Sequence, residues 1–157
     1  MADRICRRDL GRWILAALTT AAAWALSGRK PAFGLVAAAP RPAPSGREAF
    51  TQRALEMRRI AIETGDQPFG AVVVKDGRIV GEAPSRVIVN RDPTAHAEME
   101  AIRDAARRLG MRDLSGCEMY SSSRPCRMCE PAAYWANISH LYYGSPITDG
   151  GAPQYGC

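Results

Sequence analysis

The chain has 157 residues, 46% of them hydrophobic, which is enough for one folded domain and excludes a wholly disordered chain. Its formal net charge is +5, but residues 1–38 hold six basic residues (Arg4, Arg7, Arg8, Arg12, Arg29, Lys30) against Asp3 and Asp9, which leaves the rest at +1. A nearly neutral body lacks the strong positive field of a dedicated nucleic-acid binder.

The first 38 residues read as an export signal. Cys6-Arg7-Arg8-Asp9-Leu10-Gly11-Arg12 precedes an uncharged run from Trp13 to Ser27, and small residues around Val36, Ala37 and Ala38 offer a cleavage point after Ala38. The paired arginines point to the twin-arginine route and a periplasmic destination, although Cys6 and Gly11 depart from its usual pattern. The alternatives are a membrane anchor or a cytoplasmic chain. The uncharged run of 15 residues is shorter than the roughly 20 a spanning helix needs. Export of an already folded, metal-loaded domain also keeps a Cys-x-x-Cys pair from forming a disulfide on the way.

Residues 39–47 form a Pro-rich linker, and residues 48–157 form the domain. From Arg47 apolar residues recur at helical spacing (Phe50, Ala54, Leu55, Met57, Ile60, Ala61), and the pattern ends near Thr64-Gly65-Asp66. Phe69 to Lys75 is β-rich. Asp76-Gly77 predicts a two-residue hairpin turn, and Arg78 to Glu82 is the returning strand. Arg86 to Asp92 is a loop or irregular strand. Pro93 to Leu109 reads as a helix stopped by Gly110, Glu118 to Ser122 as a strand, Cys126 to Asn137 as a helix and His140 to Tyr143 as a strand. Ser145 to Cys157 reads as a tail. This order predicts an α/β fold with a central sheet and helices on its faces.

Two short motifs carry chemistry: His96-Ala97-Glu98 and Pro125-Cys126-Arg127-Met128-Cys129. The pairing His-x-Glu with Pro-Cys-x-x-Cys is the sequence mark of zinc deaminases of nucleobases. His96, Cys126 and Cys129 supply three ligands for one Zn²⁺ and leave its fourth position to water. Glu98, two residues from a ligand, can move protons without binding the metal. Both motifs are expected in the first turns of helices, where the positive end of the dipole favours thiolate over thiol at the two cysteines. Either motif alone is common; together they are specific. Of the five cysteines, Cys6, Cys117 and Cys157 remain, so an even disulfide framework is not expected. Cys117 and Cys157 are read as a buried thiol and a terminal thiol, with pairing after export as the alternative.

On these motifs, with Pro68 to Val74, Asp92 to Arg103 and the Tyr134-Trp135-Ala136 triplet, the chain resembles the cytidine and deoxycytidylate deaminase superfamily over roughly residues 50–144. It is most similar there to bacterial guanine deaminases and tRNA adenosine deaminase-like proteins. The resemblance implies a three-layer α/β/α sandwich with a mixed central sheet, one zinc per chain, hydrolysis of an exocyclic amine and a homodimer. The triplet looks like the guanine deaminase branch, which makes guanine the leading substrate. Those relatives place an Asn that contacts the base eleven residues before the zinc-binding His; here that position is Ser85, and Asn90 is out of register. Ser85 and Trp135 are therefore the substrate-side candidates, with core packing the alternative for Trp135. Tyr155 reads as a surface aromatic, or else as a cap on the site.

Arg103, Arg107, Arg108 and Arg112 read as a solvated helix face rather than an RNA track. Other substrates stay open, among them a nucleoside, cytosine or tRNA adenosine. So does a non-catalytic, zinc-structured binding protein.

Overall fold

The computed structural model describes residues 46–155. The export segment, most of the linker, and the thiols Cys6 and Cys157 lie outside the described residues. The elements run α1 (Arg47–Glu63), β1 (Gly70–Lys75), β2 (Arg78–Pro84), α2 (Ala97–Leu109), β3 (Cys117–Ser121), α3 (Cys129–Trp135), β4 (His140–Tyr143) and β5 (Thr148–Gly151).

The five strands form one mixed sheet in the order β2-β1-β3-β4-β5. β1 runs antiparallel to both β2 and β3, β3 and β4 are parallel, and β5 returns antiparallel to β4. Strand alternation sorts the core into two layers. Val72, Val74, Tyr120 and Tyr142 meet Phe50 and Met57 of α1 on one face. Ala71, Val73, Met119 and Leu141 meet Ala97, Ala101 and Ala105 of α2 and Ala133 of α3 on the other. The result is the three-layer α/β/α sandwich.

Asp76 and Gly77 both have positive φ (50° and 70°), and Lys75 pairs with Arg78, so the expected two-residue hairpin is present. The alanine stripe of α2 lets that helix lie close to the sheet. A Cβ at Gly81 on β2 would fall 2.5 Å from the Ala101 carbonyl oxygen and 2.6 Å from the Ala105 nitrogen. A methyl there would displace α2, whose N-cap is His96. Arg53 of α1 grips Glu82 of β2 through two parallel bonds, Nε to Oε2 at 2.7 Å and a terminal nitrogen to Oε1 at 3.0 Å.

Three expected boundaries are corrected. α2 begins at Ala97, not Pro93, because the Asp92 carboxylate takes the Thr94 N–H (2.8 Å) and hydroxyl (2.7 Å) and holds the preceding residues in a turn. α3 is shorter than Cys126–Asn137. Cys126 sits in the turn before it, Pro131 is its third residue and needs no N–H partner there, and Asn137 ends it at φ 59°. The tail is not free: Thr148–Gly151 pairs with β4, and His140 contacts Asp149 across the pair. Thr-Asp-Gly-Gly has little strand propensity of its own; the open edge of β4 organises it.

Candidate metal centre

α2 and α3 enter from the same face of the sheet with their N-terminal ends together. His96 occupies the N-cap position of α2 with extended backbone (φ −61°, ψ 152°), and its side chain makes no capping bond. Its Nδ1 lies 3.7 Å from Cys126 Sγ and 3.6 Å from Cys129 Sγ, and the two sulfurs are 3.6 Å apart. With Zn–S near 2.3 Å and Zn–N near 2.0–2.1 Å, the edges of a zinc tetrahedron come to about 3.5–3.8 Å. The three donor atoms fit one face of that tetrahedron, and the soft sulfur–imidazole donor set suits zinc rather than a hard cation. The Met128 N–H points at Cys126 Sγ (3.4 Å) and steadies the turn that carries it.

Glu98 stands beside this triangle. It is only 5% exposed, and its Oε2 is 3.6 Å from Cys129 Sγ. Burial raises its carboxyl pKa, against the opposing pull of its own backbone N–H, the Cys129 thiol and His96. Cys129 is fully buried. In the metal-free protein burial pushes its thiol upward, and the neighbouring Glu98 carboxylate and Cys126 add to the effect, so the thiol form is favoured there.

The structure brings His96, Glu98, Cys126 and Cys129 together. It does not place the other two named residues alike. Ser85 is 1% exposed and donates its hydroxyl to Asp66 Oδ1 at 2.8 Å. Trp135 is 65% exposed, so core packing is overturned for it; it meets Tyr134 and Tyr155 edge to face, at centroid separations of 5.5 and 5.3 Å. Tyr155 belongs to this surface trio. Cys117 is a buried free thiol.

Of the basic helix cluster, Arg103 pairs with Glu100, and Arg107 and Arg108 pair with Asp104. Asp66, which accepts the Ser85 hydroxyl, is not singled out by the sequence. Its only sequence signal is an acidic residue just after a helix-ending Gly, which is ordinary turn chemistry.

Residues 44–145 match the model of the family described as the cytidine and deoxycytidylate deaminase zinc-binding region. The chain is 44% identical over 103 residues to a guanine deaminase of Bacillus subtilis (strain 168), covering 65% of this chain and 66% of that protein. It is 42% identical over 100 residues to a tRNA-specific adenosine deaminase of Aquifex aeolicus (strain VF5), covering 64% of this chain and 66% of that one. The matched region thus spans just under two thirds of each curated relative. The X-ray structure of guanine deaminase from Bacillus subtilis superposes with a TM-score of 0.61 at 43% identity, covering 63% of this chain and 64% of that chain.

Proposed function

Because the chain belongs to the cytidine and deoxycytidylate deaminase family, through that family's zinc-binding region, we propose that it is a zinc-dependent hydrolytic deaminase of a free purine base or related aminated heterocycle, with guanine the leading candidate. The observation that carries this reading is the buried Glu98 carboxylate held against the His96–Cys126–Cys129 triangle. Zinc, held by His96, Cys126 and Cys129, would supply an acidified water as the nucleophile. Glu98 would carry the two protons of that water in turn, one to the ring nitrogen as the water oxygen bonds to the amine-bearing carbon and one to the amine as the C–N bond breaks, so that ammonia leaves and a carbonyl remains. Its burial fits that task, since a carboxyl raised above its ordinary range is a stronger base toward the water proton and keeps its acid form closer to neutral pH.

Three features favour a small base over a nucleic acid. The body is nearly neutral, the α2 arginines are engaged in ion pairs with Glu100 and Asp104, and the Tyr134-Trp135 pair resembles the guanine branch. One observation favours tRNA adenosine instead. Arg86, Arg91, Arg124 and Arg127 are exposed on the two loops that carry the ligands, and none has an ion-pair partner among the described residues.

Ammonia release from the zinc-loaded protein decides between them, on a panel of guanine, adenine, cytosine, their nucleosides and an adenosine-bearing tRNA anticodon stem. Guanine is expected to react fastest. A faster tRNA would transfer the reading to that substrate, and silence across the panel would leave a zinc-structured binding protein. The export reading extends the proposal to the periplasm. It expects cell fractionation to recover there a chain shortened by 38 residues, and recovery of full-length chain in the cytoplasm would remove it.

A further inference from the structure

The stretch from Ser85 to Asp92 delivers the ligand His96 without belonging to a strand or a helix. Its apolar side chains anchor it weakly, because Ile88 and Val89 are exposed and Val87 is only half-buried. Besides its own backbone bonds (Asn90 N–H to the Arg86 carbonyl at 2.9 Å, Asp92 N–H to the Val87 carbonyl at 3.1 Å), it is gathered by a buried carboxylate from the α1–β1 connection. Oδ1 of Asp66 accepts the Gln67 N–H at 2.7 Å and the Ser85 hydroxyl at 2.8 Å. Its Oδ2 accepts the N–H groups of Ile88 and Val89, both at 2.9 Å. Burial pushes the Asp66 carboxyl up, but these four donors outweigh it and hold the group below the ordinary carboxylate range.

The bonds continue toward the metal centre. The Arg86 N–H donates to the Ala95 carbonyl at 2.9 Å, and the Ala95 N–H donates to the Asp92 carbonyl at 3.0 Å. Ala95 is fully buried and immediately precedes His96. A buried carboxylate is expensive unless every lone pair is used. Here its partners are three backbone N–H groups and a hydroxyl, with no cation among the described residues, and three of the four lie in this loop.

We propose that Asp66 is a positioning residue for the metal centre: its carboxylate gathers Ser85, Ile88 and Val89 into the loop that aims His96 at the two sulfurs, and Ser85 serves as one of its donors rather than as a contact to substrate. The inference rests on the zinc reading of His96, Cys126 and Cys129.

The test compares the full chain with its Asp66→Asn, Ser85→Ala and Asp113→Asn variants, using cobalt(II) as the metal and amide hydrogen exchange as a second readout. Asp66→Asn keeps the shape but turns an amide N–H₂ toward groups that are themselves donors. Its cobalt affinity is expected to fall by about 10- to 100-fold, the range for residues that orient a ligand from behind, with an altered visible cobalt spectrum. Exchange at Ile88 and Val89 should quicken while exchange at Val73 in β1 does not. Ser85→Ala should move both readouts the same way by less, and it serves if Asp66→Asn fails to fold.

Asp113→Asn is the control. Asp113 organises a different loop, taking the Ser115 N–H at 3.0 Å and the Asn137 side-chain amide at 3.1 Å. Its loss should leave the cobalt spectrum and the 88–89 exchange unchanged.

Wild-type cobalt affinity and spectrum in both Asp66→Asn and Ser85→Ala would overturn the proposal, as would an equal disturbance from Asp113→Asn. A wild-type chain that takes up no cobalt would sink the zinc reading by itself. Unchanged exchange at Ile88 and Val89 would then overturn the loop role as well, and faster exchange there would uphold it.

Discussion

Glu98→Gln should lower the rate of ammonia release by about 10²- to 10⁴-fold, the range a positioned general acid–base residue contributes, with one zinc per chain retained. Gln has the volume and dipole of Glu but cannot carry a proton between water, ring nitrogen and leaving amine. His96, Cys126 and Cys129 are untouched, so metal content reports separately from turnover.

Stability should move the other way. Burial raises the Glu98 pKa in the folded, metal-free protein, so the ionised side chain costs folding free energy. The sign follows from that direction. A group whose folded pKa is raised lends its full stability below the unfolded value, about 4.5 for Glu, and that stability is lost as pH rises through the folded pKa. Metal-free Glu98→Gln is therefore expected to be at least as stable as the parent at pH 7, and urea melts at pH 7 and pH 4 should show its advantage shrinking in acid. Equal activity of variant and parent would remove Glu98 from the chemistry. A variant much less stable than the parent at pH 7 would show that Glu98 supports the fold instead.

The second large effect is on the metal. Cys129→Ser should abolish stoichiometric zinc and with it turnover, because a fully buried sulfur at one corner of the triangle is replaced by a weaker, harder donor. Chelation of the wild-type protein should lower its melting temperature, and added zinc should restore it. A ligand that binds only the native state contributes about 4 kcal/mol when present at a thousandfold excess over its Kd. Cys129→Ser should show neither loss on chelation nor recovery with zinc. Since burial and Glu98 keep the Cys129 thiol protonated in the metal-free state, zinc must displace that proton, and its apparent affinity should rise with pH. Competition titrations at pH 6, 7 and 8 check the slope. A melting temperature indifferent to both chelation and zinc would mean that the three side chains do not hold the ion.

Much of this site is written locally, and the rest is not. The candidate ligands and Glu98 are legible because each motif is short: one residue separates His96 from Glu98, and two separate Cys126 from Cys129. Helix α1, the Asp76-Gly77 hairpin and β4 are legible because apolar periodicity and turn chemistry act within a few residues. The starts of α2 and α3 were misread because both hang on side chain–backbone bonds, Asp92 with Thr94 and Cys126 with Met128, that compete with the helix. β5 was missed because its strand character comes from its neighbour β4.

The sequence by itself determined the metal chemistry, since donor type and spacing are chemical facts carried by the residues. It also determined the layered α/β order, since hydrophobic period is a local property. Only the tertiary structure decided what the environment does to those groups. Burial turned Cys129 into a held thiol and raised the Glu98 pKa. It closed Ser85 onto Asp66, and the end of α3 left Trp135 in solvent. These outcomes depend on desolvation and on hydrogen bonds between residues far apart in the chain, such as Asp66 with Val89, and no window of sequence contains both partners together with the water they lose.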